Sequence, residues 1–301
     1  MSNPNLFVSG ASGHLGRRVV ELLIQQVGAT RVIAGTRTPE KLADLAQQGV
    51  QVRKADFEDP QGLEKALAGA DRALIISSDA IDRPGRRIAQ HRAAVAAAVK
   101  AGVQHAVYTS MPNPETSPVV FAPDHLGTEQ ALAASGLGYT ILRNCWYTEF
   151  LIPALAAAVA SGKLIAAAGQ GGAPYVTRED CARAAAAALA SSDTSNHTWN
   201  ITGPAVVTFA ELAKLASELT GRPVEYAAAS PEERTQQLIA LGTPEPIAKM
   251  LVSSQIAIAQ GKMGTATAAV QELTGRAPMS VAHFLSAHRA ALLPASQTAG
   301  H

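Results

Sequence analysis

The chain lacks most of what would announce a specialised class. Its 301 residues contain two cysteines, Cys145 and Cys181, too few for a disulfide framework or a structural zinc site. The eight histidines form neither H-x-x-E-H nor H-E-x-x-H, and there is no G-x-S-x-G elbow and no Walker lysine, so no metal is expected. Charge is sparse, at 16% of residues with a formal net charge of +1, which argues against disorder, a nucleic-acid surface and a polyacidic partner. Long hydrophobic runs are missing too. The most membrane-like stretch, "IPALAAAVASGKLIAAAG", is cut by Gly162 and Lys163 and is largely alanine, so no transmembrane segment is expected. The start, "MSNPNLFVSG", carries neither a charged n-region nor a signal-like apolar core. The expectation is a cytoplasmic protein in a reducing compartment, a monomer or homodimer, whose partner is a small molecule rather than a nucleic acid or a membrane.

Short apolar or β-branched runs are present in regular succession: "NLFVSG", "RVIAGT", "VQVRKA", "RALIIS", "HAVYTS" and "YTILRN". Between them lie segments with helical spacing, including Arg17–Gln26, Glu40–Gln48, Gln61–Ala68 and Arg86–Ala101. This alternation predicts a parallel sheet covered by helices on both faces. After Asn144 the rhythm loosens: "FLIPALAAAVASG" reads as a helix, "KLIAAAG" as a strand, "TREDCARAAAAALASS" as a helix and "HTWNIT" as a strand. "TFAELAKLASELTG" has Thr208 as N-cap, Glu211 as its capping-box partner and Gly221 at its end, and "PVEYAA" follows as a strand. From Ser230 to about Leu293 the pattern is mostly helical, and "PASQTAGH" reads as a frayed tail. The alanine runs predict tight helix packing.

The first strand runs into "VSGASGHLGRRVV", with Gly10, Gly13 and Gly16 at three-residue spacing. Gly10 would end the strand at a sharp turn, Gly13 would let backbone N–H groups approach a pyrophosphate, and Gly16 would let the helix lie close to the sheet. A ligand-free strand-to-helix turn is the alternative, but the position at the head of a long βαβ series favours a dinucleotide. At the end of the second strand, where an NAD enzyme offers a carboxylate to the ribose, stand Thr36 and Arg37. A guanidinium there suits a 2′-phosphate, which favours NADPH, unless Arg37 is merely a solvated surface residue. Asp56 and Phe57 follow the third strand, where the adenine should lie, and Ile76, Ser77 and Ser78 follow the fourth, near the middle of the cofactor.

These residues resemble the atypical short-chain dehydrogenases with an NmrA-like fold, in particular the branch of bacterial type 2 quinone oxidoreductases and triphenylmethane reductases. The likeness is carried by "VSGASGHLG", "VRKADFEDP", "LIISS", "AVYTS", "DHLGTEQALAASGLGYTILRNCWYTEF" and "TRED", reaching about residue 190, and by "LTGRPVEY" beyond. It implies an α/β architecture: a Rossmann-type doubly wound parallel sheet with a smaller, mostly helical C-terminal lobe and a substrate cleft between them. We expect residues 1–150 to form the NAD(P)-binding domain, joined by elements from about 175–205, and 151–301 the interleaved substrate lobe. The resemblance implies cofactor contacts at Gly10, Ser12, Gly13, His14, Leu15, Gly16, Arg37 and Ser77. It adds the segment Tyr139 to Asn144, including Arg143, near the nicotinamide half.

The Tyr-x-x-x-Lys relay of typical short-chain dehydrogenases is absent, because the residues four places after the five tyrosines are Pro112, Arg143, Leu151, Glu179 and Ser230. Reduction of an isolated ketone needs such an acid, whereas a quinone or cationic dye takes hydride into a delocalised system whose product water can protonate. The function expected is therefore NADPH-dependent reduction of a small planar acceptor by direct hydride transfer, without flavin or metal. The alternative is a non-catalytic NADP(H) sensor, as some NmrA-like members are. His125 is a candidate proton donor or quinone-orienting group, or else a capping or surface histidine. Asn144 is a candidate catalytic group able to bond a carboxamide or quinone oxygen. Trp146 and Tyr147 would stack on a flat ring or seal the lobe interface. Met111 completes the expected acceptor side, and Cys145 reads as packing.

Overall fold

The computed structural model describes residues 4–293; the tail "PASQTAGH" lies outside them. Six strands alternate with helices: β1 (Leu6–Val8), α1 (His14–Val27), β2 (Val32–Thr36), α2 (Ala43–Gln47), β3 (Gln51–Lys54), α3 (Pro60–Leu67), β4 (Arg72–Ile75), α4 (Arg86–Lys100), β5 (His105–Ser110), α5 (Ala122–Ala133) and β6 (Gly138–Asn144). The helix expected over Glu40–Gln48 is shorter, a 3₁₀ turn at Pro39–Leu42 followed by the single turn of α2. Then come α6 (Leu151–Ser161), β7 (Lys163–Ala166), β8 (Gly172–Ala173), α7 (Arg178–Ala190) and β9 (His197–Ile201). The chain closes through β10 (Val207–Thr208), α8 (Phe209–Thr220), β11 (Glu225–Ala228), α9 (Pro231–Ala240), α10 (Glu245–Ala259), α11 (Ala269–Thr274) and α12 (Val281–Ala287).

The main sheet is parallel throughout, in the order β3-β2-β1-β4-β5-β6-β9. It is a Rossmann-type sheet whose strand order reverses between β1 and β4, so a crevice opens there at the carboxyl ends of the strands. Alternate side chains serve opposite cores, as a sheet buried on both faces requires. Leu6 and Val8 pack with α1 and α7, while Phe7, Ile33, Ala73 and Tyr108 pack with α3, α4 and α5. The alanines of α7 are why that helix can pack tightly beside α1 and against the sheet: Ala182, Ala184, Ala185 and Ala186 are fully buried. Arg72 anchors its end, donating to the carbonyls of Ala188, Leu189 and Asp193 at 3.0–3.2 Å.

In the C-terminal part, β7 and β11 form a parallel pair and β8 and β10 an antiparallel one, flanked by α6 and α8. The Thr208–Glu211 capping box closes the start of α8 and Gly221, at φ 70°, closes its end. No helix among the described residues is long and apolar enough to cross a membrane.

Candidate functional site

The glycine turn is built as tightly as its residues allow. Gly10 sits at φ 60°, the Gly13 N–H donates to its carbonyl at 2.9 Å, and a Cβ on Gly16 would come within 2.4 Å of that same carbonyl oxygen. Only glycine at position 16 lets α1 begin this close to β1. Gly13 is the N-cap of α1 and supplies no side-chain acceptor, and the first turn has no acidic residue, so no side chain caps the start of the helix. His14 is exposed there, whereas the Leu15 side chain belongs to the core. Ser12 ties the turn to the end of β2 through its hydroxyl, 2.7 Å from that of Thr36, and the exposed Arg37 follows.

Next along the edge, Ile76 borders Gly10. The backbone N–H groups of Ile76, Ser77 and Ser78 are held by Ser9 Oγ, Thr109 Oγ1 and His91 Nε2 at 2.8–2.9 Å. These three residues are therefore a pinned segment with no backbone N–H left to offer a ligand. Asp56 and Phe57 lie beyond β3, where Asp56 Oδ1 accepts from the Glu58 N–H and Phe57 is half-buried against the α3 side of the core.

A cavity of about 170 Å³ opens at the carboxyl ends of β4, β5 and β6. Met111, His125, Asn144, Trp146 and Tyr147, the residues expected on the acceptor side, all line it together with Ser77, expected near the middle of the cofactor. Phe121, Phe150, Pro112 and Met263 complete an apolar wall, with Thr109, Ser110, Cys145 and Arg87. The aromatics touch edge to face, Phe121 with Trp146 at 6.1 Å and Trp146 with Phe150 at 6.4 Å between ring centroids. Trp146 and Tyr147 line the cavity and also pack on the main core. Asn144 is buried and its Oδ1 has no hydrogen-bond partner. Burial pushes the Cys145 thiol up to about 12, which leaves it an unreactive packing group.

Two expected contacts are not part of this assembly. Tyr139 stands at the start of β6, its N–H bonded to Asn196 Oδ1, at the opposite edge of a parallel sheet. Five residues of strand put it about 16 Å from Asn144. Arg143 does reach the right edge, but its guanidinium is clamped by Glu129 and Glu115, and Ser110 Oγ donates to the same Glu129 carboxylate at 2.6 Å. The charge of Arg143 is thus taken up by two carboxylates at the nicotinamide end where a contact was expected.

His125 is corrected in its role. Arg87 Nη2 lies 2.9 Å from its Nε2, and a guanidinium has only donors, so Nε2 accepts and the single proton sits on Nδ1, 2.9 Å from the Tyr108 hydroxyl. Burial and the Arg87 charge hold the His125 pKa well below its ordinary value. A neutral imidazole whose proton faces inward is not a proton donor to the cavity. His91 behaves alike: Ser78 N–H donates to Nε2, its Nδ1 faces Thr128 Oγ1 at 2.9 Å, and burial lowers it to about 3.

Sequence reasoning missed Arg87, Phe121, Phe150 and Met263. A signal existed for the first: Arg87 and His91 are polar residues one helical turn apart on the inner face of α4. Met263 follows α10, and only tertiary packing brings it to the cavity.

The model of the NmrA-like family matches residues 2–285. Quinone oxidoreductase 2 of Escherichia coli K12 is 35% identical over 279 residues, 93% of this chain and 96% of the relative. Among solved structures, an NADPH-dependent quinone oxidoreductase from Escherichia coli complexed with NADPH superposes with a TM-score of 0.90 at 35% identity, covering 94% of this chain and 99% of that one. Triphenylmethane reductase from Citrobacter sp. complexed with NADP(H) gives 0.88 at 36% identity, again over 94% and 99%.

Proposed function

The chain belongs to the NmrA-like family, and from that premise we propose that it is an NADPH-dependent reductase that passes hydride directly to quinones or related planar electrophiles. The observation that carries the reading is an aromatic-walled cavity at the switch-point edge of the sheet, pinned to the glycine turn through Ile76 and Ser77 and without a tyrosine–lysine acid.

The residues fit the cofactor. A Cβ on Gly16 would close the cradle, and the unpartnered Asn144 Oδ1 calls for a donor such as a carboxamide N–H₂. Gly10, Ser12, Gly13, His14 and the backbone of Leu15 and Gly16 would hold the pyrophosphate. Thr36 and Arg37 would take the 2′-phosphate, Asp56 and Phe57 would flank the adenine, and Ile76, Ser77 and Ser78 would line the middle. The bound dinucleotide supplies a hydride at its nicotinamide end. Everything else falls to the chain: Asn144 orients, Met111, Phe121, Trp146, Tyr147 and Phe150 exclude water and lay a flat ring against the donor, and no protein acid is needed because the product is a weak base. A regulatory NADP(H) sensor has no use for such a wall.

The test is NADPH oxidation, followed by absorbance, against a benzoquinone, a naphthoquinone, a triphenylmethane dye and a simple ketone. Turnover of the quinones or the dye with none of the ketone supports the reading. Ketone reduction alone overturns it, and NADPH binding without any turnover favours the sensor.

A further inference from the structure

Arg87 is an unusual wall for an apolar cavity. It is 6% exposed, its Nε donates to the Ser78 carbonyl at 2.7 Å, its Nη2 donates to His125 Nε2, and its Nη1 is buried with no partner. The carboxylates of Asp124 and Asp79 act on it from a distance, yet neither forms an ion pair with it among the described residues. The Phe121 ring lies 4.9 Å from its Cζ. A guanidinium stays protonated in proteins, so the cavity is lined by a permanent cation whose Nη1 has both N–H donors unused and which has no ion-paired carboxylate among the described residues. Buried charges are ordinarily paired, and the neutral His125 contributes none of the missing anion. The backbone suited to a pyrophosphate lies elsewhere, at Gly10 to Gly16. The missing anion therefore belongs to the acceptor.

We propose that Arg87 is the oxyanion-binding residue of the acceptor site, and that it makes the cavity select acceptors that leave as oxyanions over cationic dyes. The inference rests on the reductase reading and names its substrate class. When a quinone receives hydride, it gains two electrons and one proton and becomes a hydroquinone monoanion, while the nicotinamide is oxidised by the same two electrons. One quinone oxygen carries the new O–H, and the other carries the negative charge until water protonates it. The Arg87 guanidinium, part of the cavity lining, can donate to that second oxygen, and the attraction grows as charge moves onto it, so it lowers the barrier and not merely the ground state. A triphenylmethane cation loses its charge on reduction and enters against the guanidinium, so the same group opposes it.

Arg87→Met keeps the stem and removes the charge. It should lower kcat/KM for a naphthoquinone by about a hundredfold or more and raise it several-fold for a cationic dye, with NADPH affinity kept. In Arg87→Ala, which leaves the space open, added guanidinium ion should restore part of the quinone rate. A merely structural arginine would depress both acceptors together, and a cofactor-phosphate ligand would weaken NADPH binding; either result overturns the proposal. Because the variant also loses the bonds to Ser78 and His125, the wild-type protein carries an independent test with 4-nitrophenol. It should compete with the quinone and ionise at lower pH when bound than when free, read at the phenolate absorbance. An upward shift, as a purely apolar cavity would impose, or no competition, overturns the inference. If the wild type reduces no quinone at all, the reductase reading fails, while a phenolate bound with lowered pKa would still assign the anion site to Arg87.

Discussion

His91 and His125 lie with ring centroids 6.4 Å apart, and each is locked as a neutral ring by a donor at its Nε2, Ser78 N–H for the first and Arg87 for the second. Both pKa values are depressed by burial, His91 to about 3, and His105 at the far end of β5 is lowered to about 4. Unfolded, each would titrate near 6.5. The unfolded chain therefore binds more protons below that pH, and the stability these rings contribute is complete above 6.5 and is lost as pH falls toward their folded values. Urea unfolding of the cofactor-free protein should show stability falling by about 4 kcal/mol between pH 7 and pH 5.5, at roughly 1.4 kcal/mol per unit for each of the three rings below 6.5. A flat profile over that window would contradict the assignment of these rings as neutral in the folded protein.

Gly13 and Gly16 should fail differently. Gly13 is exposed and a Cβ there meets Gly10 O at 3.3 Å, so Gly13→Val should give a folded protein that no longer binds NADPH. At Gly16 the same atom would stand 2.4 Å from a backbone carbonyl, so even Gly16→Ala should cost about 1–3 kcal/mol of stability as well as the cofactor. Thermal melts paired with calorimetric titration separate the two, and a stable Gly16→Ala that binds normally would refute the cradle.

Arg37→Glu should weaken NADPH binding by roughly 1.5–3 kcal/mol and leave NADH nearly unaffected, because the exposed guanidinium after Thr36 is replaced by a charge that repels a 2′-phosphate. Equal losses for both cofactors in calorimetry would assign Arg37 no part in the choice.

Arg72→Met should destabilise the fold by about 2 kcal/mol without changing cofactor affinity. It strips the donors from the carbonyls of Ala188, Leu189 and Asp193, two of which end α7, and leaves buried acceptors unmade. An unchanged unfolding midpoint would mean that water replaces the guanidinium there at no cost.

The architecture was legible because its physics is local. Buried parallel strands read as short apolar runs, the Thr208–Glu211 box and Gly221 mark both ends of α8, and the glycine turn follows a strand as it must. The lobe's own pairings were less so: β7 beside β11 joins segments about sixty residues apart, and neither run declares its partner. In the site, the residues following strand ends were found and Tyr139 was misplaced, although a parallel sheet already dictates that only the carboxyl end of β6 reaches a ligand. Arg87 stayed hidden because an arginine near a helix start reads as solvated until packing shows its inner face. Met263 stayed hidden because its place depends on how α10 folds back.

The most direct measurement is a single turnover. Protein saturated with NADPH, with no flavin added, is mixed without oxygen with one equivalent of naphthoquinone, and the NADPH absorbance is followed with the cofactor protiated or deuterated at the transferred position. The account predicts stoichiometric oxidation to hydroquinone, slowed several-fold by deuterium and slowed further by Arg87→Met. No oxidation of bound NADPH, or oxidation that appears only when flavin is supplied, would contradict it.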